Sequence, residues 1–325
     1  MAHGSLSSIE LCAGGGGQAL GLERAGFGHE ALVEIDKWAR ATLKLNRPNW
    51  NVIEDEQIDL TKFDATPYRG VDLVAGGVPC PPFSKAGKQL GAADERDLFP
   101  HAVRVVDETR PKAVMLENVR GFLDAVFHDY RQHLKRQLKK LGYSMVDWHL
   151  YNASDFGVSQ LRPRVVIVAI HDDYADQFHW PKGGDMQPPT VGQLLYEQMA
   201  ARGWKGAARW RDQADEIAPT IVGGAKKHGG PDLGPTRAKR AWEALGVNGK
   251  TLAEEAPDPD HVGMPRLTVP MVARLQGFPE DWVFAGRKTN AYRQVGNAFP
   301  PPVAEAVAQN IRQAITSTRT VYAVS

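Results

Sequence analysis

The sequence predicts an α/β protein built on a mostly parallel sheet, with a smaller loop-rich module inserted towards the carboxyl end. Three observations carry this expectation. Short apolar runs of strand length alternate with stretches whose apolar residues recur at helical spacing, as in βα units. The first strand-like run is followed at once by Gly14, Gly15, Gly16 and Gly17, which lead into a helical pattern. Carboxylates and a lone cysteine stand just after such runs, where ligands bind in open α/β sheets.

Ser7 to Leu11 reads as the first strand, and Cys12-Ala13-Gly14-Gly15-Gly16-Gly17 turns the chain into the helical pattern of Ala19, Leu20, Leu22 and Ala25. Glycines permit tight turning and close approach of backbone to a ligand, and a helix start offers free N–H groups. The loop therefore suits a nucleotide-type cofactor. Ala31-Leu32-Val33 is a second strand ending in Glu34, the position from which an acidic residue holds ribose hydroxyls in such folds. A helix follows from Lys37 to Leu45. A third strand-like stretch precedes Asp59, which suits either an adenine amino group or a solvated turn.

Val71 to Ala75 is apolar enough for a buried strand, and the loop beyond it carries Cys80 between Pro79 and Pro81. Prolines fix φ and push the residues before them towards extended geometry, so this loop is stiff. A lone cysteine is more often a small core hydrophobe than a nucleophile, so its neighbours must decide. Leu98 to Thr109 has helical spacing. Lys112 to Leu116 is a strand running into Glu117-Asn118-Val119, which makes Glu117 a candidate for a raised pKa and proton donation. Tyr130 to Leu141 is a basic amphipathic helix. Strands at Ser144–Leu150 and Val165–Ile170 bracket Gln160-Leu161-Arg162-Pro163-Arg164. Arg162 and Arg164, two apart in extended chain, share a face where guanidinium groups suit a phosphate or a base carbonyl.

From Gly183 to Pro265 the chain is rich in glycine, proline and charge, and it reads as a separate module. Its basic clusters hold Lys226, Lys227, Arg237 and Lys239, with Trp204, Trp210 and Trp242 nearby. That mixture suits phosphate neutralisation with some stacking, and equally a solvated surface. Met271 to Leu275 suggests a short helix, and Gln294 to Phe299 precedes a closing helix, Val303 to Ile315, that returns to the first domain. The expected organisation is a catalytic and cofactor-binding domain at 1–180 completed by 290–325, a recognition domain at 181–265, and a hinge at 266–289.

Two cysteines, Cys12 and Cys80, form no disulfide framework and no zinc ligand set. The amino terminus lacks the pattern of a signal peptide, and no run reaches the ~18 apolar residues of a membrane span. A cytoplasmic protein without a resident metal is expected. With a formal charge of +1, any nucleic-acid surface must be a local patch.

Glu10-Leu11-Cys12-Ala13-Gly14-Gly15-Gly16-Gly17, Pro79-Cys80, Glu117-Asn118-Val119, Gln160-Leu161-Arg162-Pro163-Arg164, Arg274-Leu275-Gln276-Gly277-Phe278-Pro279 and Gln294-Val295-Gly296-Asn297 stand in this order along the chain. Together they resemble the motifs of the cytosine-C5 DNA methyltransferases of bacterial type, across nearly the full length. Each motif is short; six in order are specific.

The resemblance implies a Rossmann-like methyltransferase domain, S-adenosylmethionine as methyl donor with S-adenosylhomocysteine as product, and a cytosine flipped out of double-stranded DNA. It implies that Cys80 attacks C6, that Glu117 protonates or hydrogen-bonds N3, and that loss of the C5 proton after methylation expels Cys80. A thiol of pKa ~8.5 is only about 3% ionised at pH 7, so nearby positive charge helps. Arg162 and Arg164 are the candidates, with Arg164 also on cytosine O2.

For the cofactor, the resemblance implies Glu34 on the ribose, Asp59 on the adenine amino group, and Leu60 and Leu98 against the ring. Leu11, Cys12 to Gly17 and Asn297 surround the methionine part, and Ile35, Pro79, Ala298 and Phe299 complete the set. DNA contacts are expected at Ser84, Thr220, Ile221, Lys226, Lys227, Arg237 and Lys239; Thr220-Ile221 resembles the short core of the family's recognition region. A monomer is expected, and in a restriction–modification pair a companion endonuclease would act on the same site.

The sequence departs from the usual pattern at several points. Glu10 and Cys12 stand where Asp and Phe are common, Pro81 where Gln is frequent, Ile35 where some members have Trp, Met271 where Glu is common, and Ala298 where Ser is common. The tRNA-directed branch of the family is an alternative, although its Cys-Phe-Thr insert is absent. Cys80-Pro81-Pro82-Phe83 superficially resembles the loop of amino-group methyltransferases, which leaves Glu117 and the paired arginines without a role.

Overall fold

The structure is a computed structural model that describes residues 6–79, 97–184, 186–223 and 230–317. Its centre is a six-stranded sheet. Strand β1 (Leu6–Leu11) passes through the glycine turn into α1 (Gly17–Arg24), followed by β2 (Phe27–Val33), α2 (Lys37–Asn46) and β3 (Leu73–Gly76). Next come α3 (Phe99–Thr109), β4 (Ala113–Val119), α4 (His128–Lys140), β5 (Met145–Asn152) and β6 (Pro163–Ile170). In space the strands run β2-β1-β3-β4-β6-β5. β2, β1, β3 and β4 are parallel, and β6 lies antiparallel between β4 and β5. From β1 the chain winds first to β2 and then away through β3 and β4. The crevice at the carboxyl ends of β1 and β3 is thus the switch point at which such sheets bind ligands.

Side-chain alternation along the strands builds two cores. Val74, Val114 and Leu116 face α3 and α4, where they meet Phe99, Val105, Val106, Leu134 and Leu138. Leu73, Ala75, Ala113 and Met115 face the opposite way, as a period of two requires. That second face is covered by α10 (Pro301–Thr316) through Val303, Val307 and Ile311. Each such aliphatic residue, fully buried, contributes about 1.5–3 kcal/mol. The closing helix therefore returns to the sheet as the sequence suggests. Close approach is possible because α1 carries glycine: a Cβ at Gly21 would fall 2.5 Å from that of Ala304.

Along the chain, β6 and α10 are separated by α5 (Val191–Ala200), α6 (Ala207–Gln213), α7 (Thr236–Ala244), α8 (Val269–Leu275) and α9 (Lys288–Asn297). Three of these helices fall in the segment expected to be loop-rich. In α5, Thr190 and Gln193 form a reciprocal cap, and Val191, Leu195 and Met199 recur every fourth residue on the buried face. Trp204, Trp210 and Trp242 differ from expectation: all are buried in the core that α5 to α9 share, so none is a surface stacking platform. The third strand expected before Asp59 is reduced to one bridge, Leu32 with Val52, and a helical turn at Glu56–Ile58. Asp55 accepts from the Gln57 amide there and starts the turn.

Candidate active site

A cavity of about 620 Å³ opens at the carboxyl ends of the parallel strands. At one end it is walled by the turn after β1. Cys12 and Gly14 both take positive φ, 55° and 56°, which bends the backbone sharply between strand and helix. At Gly17 the backbone meets the chain end so closely that a Cβ would fall 2.1 Å from the Phe299 carbonyl oxygen. Cys12, Ala13, Gly14, Gly15 and Gly17 line the cavity with Asn297, Ala298 and Phe299. Two members of the expected cofactor set do not line it. Leu11 is wholly buried in the sheet core, because its side chain points to the α3 face. Gly16 starts α1 with φ 88° and packs on Trp282 and Leu43, so its part is to make the turn.

Glu34 follows β2 and is buried. Its Oε2 accepts from the Gly14 amide at 2.7 Å and its Oε1 from the Asp36 amide at 2.7 Å, which locks the carboxylate between the two loops. Burial raises its pKa, against the pull of those two amides. Ile35 also lines the cavity and is 61% exposed, an aliphatic lip at its rim. Asp59 lines the same region, and its carboxylate takes the amide and hydroxyl of Thr61, which lower its pKa. Leu60, Leu98 and Pro79 complete the apolar wall.

The cavity extends to Glu117, which lies inside β4 rather than at its end. Register explains its placement. Gly76 pairs with Leu116, so the chain leaving β3 passes directly over Glu117, and a Cβ at Gly77 would lie 3.4 Å from Glu117 Oε2. Asn118 donates from Nδ2 to the Val78 carbonyl at 3.1 Å and ties that segment down. Glu117 forms an ion pair with Arg164, Oε1 to Nε 2.7 Å, with both side chains nearly buried. Burial raises the Glu117 pKa, and the charges of Arg164 and Arg162 oppose the rise without cancelling it. Cys12 is held protonated as well, by burial first and then by the carboxylates of Glu34, Glu10 and Asp59.

Arg162 stands apart from the cavity. It is fully buried and does not line the cavity, because its guanidinium is spent on main-chain carbonyls: Nη1 on Ile221, and Nη2 on Gly296 at 2.7 Å and Ala298 at 3.0 Å. The two arginines share an origin in the sequence but not a destination. Gln160 completes this junction, accepting from the Ile221 amide at 2.9 Å and donating to Gln276 Oε1 at 2.6 Å. Ile221, expected on DNA, is wholly buried in the same junction, and the Thr220 hydroxyl donates to the Leu161 carbonyl. At the neighbouring position, Gly223 lies against Gly296, whose Cβ would fall 2.3 Å from the Gly223 nitrogen. Lys239 is paired with Asp232 at 2.9 Å, whereas Arg237 is exposed. Cys80, Pro81, Ser84, Lys226 and Lys227 lie outside the described residues.

Several lining residues carry no sequence assignment: Glu10, Asn118, Asn290, Arg293 and Gln294. Polar spacing of three, four and seven residues through 290, 293, 294 and 297 is the signal that could have found the last of these.

A family model for C-5 cytosine-specific DNA methylases matches residues 6–313. The chain belongs to this family. It is accordingly a DNA cytosine-5 methyltransferase, as its motifs suggest. The type II methyltransferase M.NgoMIV of Neisseria gonorrhoeae is 54% identical over 316 residues, spanning 95% of this chain and 98% of that protein. The type II methyltransferase M.NaeI of Lentzea aerocolonigenes is 55% identical over 315 residues, spanning 96% of this chain and 76% of that protein. A mutant of Spodoptera frugiperda DNMT2 shares the fold with a TM-score of 0.66 at 18% identity, covering 95% of this chain and 100% of that one. Dnmt2 of S. pombe does so with a TM-score of 0.64 at 17% identity, covering 96% and 100%. This methyltransferase thus shares its Rossmann-like fold with those structures.

Proposed function

We propose that the protein transfers the methyl group of S-adenosylmethionine to C5 of a cytosine flipped out of a specific double-stranded DNA sequence, through an adduct between Cys80 and C6. One observation carries this reading. A single cavity joins the glycine turn and Glu34 to the Glu117–Arg164 pair, and its wall includes Pro79, the residue before Cys80. Cys80 follows Pro79 directly in the sequence.

The residues suit the donor. Glu10 lines the cavity with a buried Oε2 that has no hydrogen-bond partner, an acceptor ready for an ammonium group. Glu34, fixed by two amides, retains lone pairs for ribose hydroxyls. Asn297 and the Gly14–Gly17 turn would hold the methionine part, and Ile35, Asp59, Leu60 and Leu98 the adenine. S-adenosylmethionine supplies an electrophilic methyl carbon when bound.

The chain's own residues then prepare the base. Cytosine C5 is a poor nucleophile until a group adds to C6. Cys80 as thiolate makes that bond, and the electron pair of the C5–C6 double bond moves towards N3, where Glu117 gives up or shares a proton. Arg164, ion-paired with Glu117, would hold O2 and favour the thiolate. After transfer, loss of the C5 proton restores the double bond and releases Cys80. Residues 181–265 would read the duplex, with Arg237, Lys226 and Lys227 as phosphate contacts. The type II designation of the relatives supports a companion restriction endonuclease acting on the same site.

The test is incubation with S-adenosylmethionine, unmethylated genomic DNA and, separately, unmodified tRNA, followed by base-resolution mapping of 5-methylcytosine. Label on DNA cytosines in one recurrent short context is expected; label confined to tRNA would overturn the DNA assignment. A pH profile adds a second check. A raised Glu117 pKa widens the pH range over which the carboxyl holds its proton, so kcat should fall as pH rises through that pKa. In Glu117→Gln that falling limb should vanish; its persistence would assign the limb to another group.

A further inference from the structure

The α9 face that turns Asn290, Arg293, Gln294 and Asn297 towards the cavity poses an electrostatic question. Five carboxylates line that cavity: Glu10, Glu34, Asp36, Asp59 and Glu117. Among the described lining residues only two are cationic, Arg164 and Arg293. Arg164 is committed to Glu117 at 2.7 Å. Arg293 has no ion pair among the described residues, and its buried Nε lacks a hydrogen-bond acceptor.

Four buried side-chain atoms of lining residues lack a hydrogen-bond partner, the acceptors Glu10 Oε2 and Gln18 Oε1 and the donors Arg164 Nε and Arg293 Nε; Arg164 is ion-paired with Glu117, which leaves Glu10 and Arg293 as the groups of opposite charge without an ion pair among the described residues. Such orphans are uncommon in folded proteins and call for an explanation. An α-amino acid group carries one ammonium and one carboxylate, and it would satisfy both. The helix is also in the right place. A Cβ at Gly15 would fall 3.2 Å from that of Gln294, so the cavity face of α9 lies against the glycine turn.

We infer that Arg293 binds the carboxylate of the cofactor's methionine part, opposite Glu10 on the ammonium; this rests on the adenosylmethionine reading above. A guanidinium presents parallel donors that match a carboxylate in two-point contact, which lysine cannot reproduce. Without this cation, an anionic group would meet carboxyl groups and, of the lining cations, only the guanidinium already paired with Glu117.

The experiment is calorimetric titration of S-adenosylhomocysteine and of its decarboxylated analogue, which keeps the ammonium, into wild type, Arg293→Met and Arg293→Lys. In Arg293→Met, affinity for S-adenosylhomocysteine should drop roughly tenfold to a hundredfold, the range of a charge-assisted contact, and affinity for the analogue should stay within about twofold. Arg293→Lys should keep part of the difference. Equal weakening of both ligands would overturn the inference in favour of a packing role. Unchanged S-adenosylhomocysteine binding, with weaker DNA binding and a salt slope shallower by roughly one, would reassign Arg293 to a phosphate. Should Arg293→Met fail to fold, wild type alone decides: it must prefer S-adenosylhomocysteine to the analogue, and equal binding overturns the inference. Wild type that binds neither ligand would instead sink the adenosylmethionine reading itself.

Discussion

Cys80→Ala is expected to abolish methyl transfer, and Glu117→Gln to slow it by about 10²–10⁴, the usual contribution of a positioned acid. The difference follows from what each side chain supplies. Without a nucleophile at C6 no negative charge develops at C5, and no other cysteine replaces it, since Cys12 is held protonated by burial and by the surrounding carboxylates. Glutamine at 117 keeps the volume and can still donate a hydrogen bond to N3, but it cannot deliver a proton. It also leaves Arg164 without its carboxylate partner. Single-turnover transfer at saturating DNA measures both effects, with thermal melting to show that each variant folds. DNA carrying 5-fluorocytosine sharpens the result. Fluorine at C5 cannot leave as a proton does, so the adduct persists, and wild type should migrate as a covalent complex that Cys80→Ala never forms. Substantial transfer by Cys80→Ala would remove the adduct mechanism.

The parallel core of the sheet was legible because β1 to β4 are apolar runs of strand length, and period-two alternation then assigns each residue to a face. Glu34 was legible for the same reason, as an acid just past a strand. Position along the chain could not separate Arg162 from Arg164. Their fates are decided by residues 59 to 136 positions away, Ile221, Gly296 and Ala298, whose carbonyls capture one guanidinium and leave the other free for Glu117. The tryptophans of the inserted module misled for a related reason. An aromatic residue among basic clusters looks like a stacking surface until helices such as α5 and α6 supply the core that buries it. Asn290 and Arg293 went unnoticed because the start of α9, Lys288-Thr289-Asn290, shows no apolar periodicity, although the polar face it continues points into the cavity.

Arg162→Met is expected to destabilise the protein by about 1–3 kcal/mol for each buried carbonyl left without a donor. Methionine has similar length and fills the space, so the loss isolates polarity from volume. The carbonyls of Gly296 and Ala298 would lose their guanidinium donor, and that of Ile221 would be left buried beside them. Gln276 still donates to Ala298 at 2.6 Å and limits the damage there, whereas no second side chain among the described residues donates to Gly296 or Ile221. The junction joins β6, the segment through Ile221 and the end of α9, so its loosening should also reach Asn297 and the Gly223–Gly296 contact. Urea unfolding of the protein measures the stability. Arg162→Lys provides the control: its single ammonium can reach one carbonyl well but not three, and an intermediate midpoint is expected. If Arg162 instead served the thiolate or the base, Arg162→Lys would lose activity while melting like wild type. A catalytic arginine would show in rate alone, whereas an arginine that clamps the backbone must show first in stability.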